Sequence, residues 1–89
     1  MKIIKLDKRH KLQRLGFTHA FKFENGFSAE DRQIILNLEH MLVEHHGLGS
    51  EENVWMWQWN NNSTRPRGHR IYYIGVRNEA IITQLLMML

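Results

Sequence analysis

The chain has no cysteine among its 89 residues. That excludes a disulfide-stapled scaffold and every metal site built on thiolates. It also lacks a long apolar run. The N-terminal "MKIIKL" holds no apolar stretch of signal-peptide length, and no segment approaches the ~20 apolar residues of a membrane span. A cysteine-free domain without such segments is expected in the cytoplasm and off the membrane. The two overlapping glycosylation sequons of "NNST", at Asn61 and Asn62, are therefore read as chance.

Catalytic residue types are scarce as well. The serines number three, of which Ser28 reads as a helix cap and Ser50 as a connector residue. Glu51 and Glu52 are adjacent and point apart, so they form no working carboxylate pair. His40, His45 and His46 sit near Glu39 and Glu44, but helical spacing spreads them around the axis. A zinc site needs at least three converging ligands. The expectation is no enzyme, no metal and no cofactor.

What is present suits one small domain, residues 1–89. About 43 % of the residues are hydrophobic and 24 % charged, as in ordinary globular chains. A chain this short buries only about 60–65 % of its unfolded surface, so a single core is expected. Charge is unevenly spread behind a net +3. Residues 1–15 hold Lys2, Lys5, Lys8, Arg9, Lys11 and Arg14 against Asp7 alone, whereas residues 24–52 hold seven acids against Arg32 alone. Residues 65–77 are basic again. Such a dipole can orient the molecule toward an anionic partner.

"KIIKL" (Lys2–Leu6) reads as a β-branched strand and Asp7–Gly16 as a basic hairpin loop or a single helical turn. Phe17–Glu24 alternates, with Phe17, His19, Phe21 and Phe23 on one face. His19 there reads as a partly buried histidine with a hydrogen-bond partner. Asn25-Gly26 ends the strand. Ser28, Glu30 and Asp31 open a helix over about 29–46, whose apolar stripe is Ile34, Ile35, Leu38, Met41, Leu42 and His45. Gly47 ends it, with Leu48 packing beneath. Val54–Trp59 and Arg70–Val76 are strands around the loop Asn60–His69. Asn78 caps a last helix with Ile81, Ile82, Leu85, Leu86 and Leu89 on its stripe.

The order is ββα twice. It implies an α+β two-layer sandwich: a four-stranded, mainly antiparallel sheet with two helices on one face. A ferredoxin-like variant is the competitor. Burial decides which face the helices cover. With Trp55, Trp57 and Trp59 inside, the core gains Phe21, Phe23, Tyr72, Ile74 and Val76. With them outside, it must hold Lys22, Gln58 and Arg77. Each buried large apolar side chain contributes roughly 1.5–3 kcal/mol, and an unpaired buried charge costs more than that. The tryptophans are therefore core, with Trp59 expected at the edge.

Function then falls on the basic loops. Lys8, Arg9, Lys11 and Arg14 in one, and Arg65, Arg67 and Arg70 in the other, are expected to meet phosphates at one end of the molecule, with Trp59 beside them. The expected partner is nucleic acid or another anionic surface. The alternative is a protein–protein module (an inhibitor, an adaptor or a homodimer) of a size that phages and mobile elements often encode. Such a module would meet an acidic protein, or use the modest apolar exposure of Val43, Met56, Ile71 and Tyr73.

Overall fold

The computed structural model describes residues 1–25, 28–60 and 71–88. Its elements are β1 (Lys2–Lys5), α1 (Lys11–Arg14), β2 (His19–Phe23), α2 (Ala29–His46), β3 (Trp55–Asn60), β4 (Ile71–Val76) and α3 (Glu79–Met88). One four-stranded sheet has the order β1-β2-β4-β3, and every neighbouring pair is antiparallel. Two hairpins thus meet along β2 and β4. With the single-turn α1 set aside, this is the ββαββα arrangement, and the element order separates it from the ferredoxin-like variant. No described helix is long and apolar enough to cross a membrane.

The helix boundaries follow local chemistry. Ser28 Oγ accepts the Asp31 amide at 3.1 Å, and Glu30 and Asp31 occupy the first turn of α2. Gly47 follows the last turn at φ 82°. Leu48, expected beneath that end, is exposed instead. Asn78 Oδ1 accepts the Ile81 amide at 3.2 Å and caps α3.

The helix-facing core holds Phe21, Phe23, Trp55, Tyr72, Ile74 and Val76 from the sheet. Ile35, Leu38 and Leu42 of α2 pack on it with Ile81, Ile82 and Leu85 of α3. The side of the sheet is thus the one that burial favours. Two stripe residues depart from expectation, since His45 and Leu86 are exposed. Leu89 lies outside the described residues. Trp55 is buried to 2 % exposure, and its indole Nε1 donates to Gly47 O at 2.9 Å, satisfying the polar atom that its burial would otherwise strand.

The opposite face of the sheet differs from its expected polar character. A second cluster of Leu6, Leu12, Phe17, Ala20, Ile71 and Tyr73 lies there. The segment after β1 folds back as α1 and lays Leu12, fully buried, across the sheet. Gly75 makes this approach possible: a Cβ there would stand 3.0 Å from Leu12 Cδ1. Phe17 belongs to this cluster and not with Phe21 and Phe23. The alternation starts only at His19, because Phe17 N is turned onto Leu12 O at 3.1 Å before β2 begins.

Arg77, expected on an open face, is instead an internal tie. Its Nε donates to Asn53 O at 2.7 Å, its Nη1 to Leu15 O at 3.1 Å and its Nη2 to Glu51 O. The guanidinium also lies over the Phe17 ring, 4.4 Å from its centroid. One side chain thereby joins the α1–β2 turn to the α2–β3 connector. His19, half-buried, shares a 2.8 Å hydrogen bond with Thr18 Oγ1, as a partnered strand histidine should.

Candidate functional site

The two basic segments leave the sheet from roots at opposite ends. β2 and β4 run antiparallel, with His19 opposite Val76 and Phe23 opposite Tyr72. The first hairpin therefore opens beside Val76, where β1 ends and β2 begins. The second opens at Asn60 and Ile71, about 17 Å away along five residue steps of β4. The roots of the two loops are thus at opposite ends and not at one, because each loop precedes the second strand of its hairpin and those strands are the antiparallel centre pair.

Lys8, Arg9, Lys11 and Arg14 are all exposed around α1. Arg9 faces Asp7 at 3.7 Å, an open ion pair of small energetic weight. Arg65, Arg67 and Arg70 lie outside the described residues, between the ends of β3 and β4. Trp59 is half-buried and packs on Tyr72, with ring centroids 4.5 Å apart and planes inclined at 57°.

The most exposed tryptophan is not Trp59 but Trp57, at 48 %. All three indoles share the helix-facing side, yet β3 is an edge strand, and α2 leaves a gap above its middle. That gap is a cleft of about 360 Å³. Its sheet wall is Trp57, Trp59 and Tyr72, and its helix wall is Ile35, Leu36 and Glu39, with Arg32 also lining it. The volume is at the lower end of the roughly 300–1,000 Å³ of small-ligand sites. Arg32, Leu36 and Glu39 stand at positions i, i+4 and i+7 of α2, on one side of the helix.

The polar groups of the cleft are few. The Tyr72 hydroxyl donates to Glu39 Oε1 at 2.6 Å. Burial chiefly, then the Glu39 hydrogen bond and charge, push the Tyr72 phenol well above its ordinary value of 10.0, while Arg32 opposes them. Tyr72 is therefore a neutral donor. Glu39 Oε2 and the Arg32 guanidinium have no hydrogen-bond or ion-pair partner among the described residues. The arrangement can hold a flat ring against indoles and offer it one acceptor and one cation. It places no nucleophile beside a base.

Sequence reasoning reached Trp59 but not Trp57, Tyr72, Arg32, Leu36 or Glu39. One signal was there. Leu36 is an apolar residue off the buried stripe of α2, and it is 54 % exposed. Among the described residues, no group of three His, Asp or Glu side chains is placed to hold a metal. His40 Nε2 faces Glu44 at 3.9 Å, and the rings of His45 and His46 stand 6.4 Å apart.

Comparison with protein-family models, with curated proteins and with solved structures finds no match for this chain.

Proposed function

We propose that the protein is a non-enzymatic binding module that meets nucleic acid at the Trp59–Tyr72 end of its sheet. The observation carrying this reading is one of connectivity. The chain between Asn60 and Ile71 bears Arg65, Arg67 and Arg70, and its roots are the neighbours of the two aromatics that floor the cleft. Stacking surface and phosphate-binding side chains are thereby tethered together, the combination that single-strand binders use. Lys8, Arg9, Lys11 and Arg14 sit at the other end and add to the positive field and the rate of encounter more than to contacts.

The test is fluorescence anisotropy with a labelled single-stranded oligonucleotide across a salt series. Affinity should fall with rising salt. The triple variant Arg65→Ala/Arg67→Ala/Arg70→Ala should lose at least tenfold and flatten the logarithmic salt slope by about 2. No binding at low salt, or an unaffected triple variant, defeats the reading.

A protein partner is the second reading. Leu36, which lines the cleft with Trp57, is exposed on α2, and Val43 is exposed one heptad further along. An inhibitor, an adaptor or a homodimer would use those exposed apolar residues. A stoichiometric protein in pull-downs, with no nucleic-acid absorbance in the native preparation, separates it from the first reading.

A further inference from the structure

The nucleic-acid reading leaves the cleft itself to be assigned. Resting on that reading, we infer that the cleft takes a single unpaired base carrying an exocyclic amino group, with Glu39 as its acceptor and Arg32 meeting the neighbouring phosphate.

Three observations carry this. Trp57 and Trp59 line the cleft wall with flat apolar surface, and Trp57 is 48 % exposed. Base–aromatic stacking of this kind needs an extruded base, which a closed duplex does not present. Glu39 is half-buried in that wall's shadow, and Tyr72 occupies only one of its oxygens. The remaining oxygen is a strong, acceptor-only group. It pairs with the amino group of cytosine or adenine, and it repels the carbonyl that thymine presents at the matching place.

The third observation is spacing. Arg32 and Glu39 are seven residues apart on α2, about 10 Å along its axis. Both side chains line the cleft, and one nucleotide fits it with its base at Glu39 and its phosphate at Arg32. An organic cation would also suit aromatics and a carboxylate. Arg32 in the lining works against that ligand.

Matched oligo(dC) and oligo(dT) strands of equal length decide the point, measured by anisotropy on the full chain at low salt. The wild type should prefer oligo(dC) by roughly tenfold, the weight of one hydrogen bond to a charged acceptor. Glu39→Gln keeps an oxygen for Tyr72 and adds a donor, so the preference should collapse while oligo(dT) binding holds or rises. The variant's melting curve confirms that it is folded. Equal binding of both strands by the wild type overturns the inference and leaves the nucleic-acid reading standing, as does a preference that survives Glu39→Gln. Binding of neither strand overturns both, and so does choline quenching Trp57 fluorescence where oligonucleotides do not.

Discussion

The Tyr72 hydroxyl donates to Glu39 Oε1 at 2.6 Å, closing the floor of the cleft between β4 and α2. The bond joins a buried phenol to a carboxylate that is only half-buried. It holds the carboxylate in place without consuming its second oxygen, and its energetics can be measured apart from any ligand.

Tyr72→Phe removes the donor and leaves Glu39 facing an apolar edge. The expected cost is about 1–2 kcal/mol, read as a lower urea midpoint with unchanged slope. Alkaline pH should mimic the change. The folded phenol titrates above its unfolded value of 10.0, so the native state holds its proton longer. Stability from this group is complete below pH 10.0 and is lost as pH rises past it. Unfolding midpoints through the alkaline range check this. A wild type and a Tyr72→Phe variant declining in parallel would show that the bond is absent.

His10 supplies the acid counterpart. Its Nδ1 accepts the Leu12 amide at 3.2 Å, capping α1, and its ring stands edge-on to Tyr73 with centroids 4.6 Å apart. Burial holds the imidazole below its ordinary 6.5. Asp7 pulls it upward and Lys22 pushes it down. Protonation would abolish the accepting nitrogen. The unfolded chain takes up its proton near 6.5 and the folded one resists, so this contribution is whole above 6.5 and fades as pH falls below it. His10→Asn keeps a capping side chain that does not titrate. The stability difference between wild type and variant should therefore shrink or reverse from about pH 8 to pH 5. A constant difference would contradict the assignment.

Leu12→Ala tests the second core. Leu12 is fully buried against Phe17 and Gly75, although it lies in a segment that reads as a basic loop or a single helical turn. The expected loss is about 2–4 kcal/mol, the cost of a cavity in a packed site. A surface-loop leucine would cost almost nothing. Calorimetric melting of wild type and variant separates the two outcomes.

Legibility in the sequence followed the strength of local signals. Ser28, Gly47 and Asn78 mark helix ends by hydrogen-bonding chemistry that acts within a few residues, and they appear where expected. The strand faces were legible because pleating alternates by twos, and counting buried area placed Trp55 inside. What failed depended on distant partners. Leu12 is buried because Gly75, 63 residues later, lacks a side chain. Arg77 is internal because three carbonyls from two connectors converge on it. The opposite ends of the two loop roots were missed because that placement required knowing which strands pair at the centre. The cleft stayed hidden for the same reason: Glu39 and Tyr72 meet across 33 residues of chain.

The most direct test of the cleft uses the three indole N–H resonances, which report three depths on one strand. On titration with a single-stranded oligonucleotide, the Trp57 and Trp59 signals should shift in proportion to occupancy. The Trp55 signal, buried and bonded to Gly47 O, should stay in place. If all three stay fixed while the amides of Lys8 to Arg14 move, the ligand binds the α1 side and the cleft is not the site.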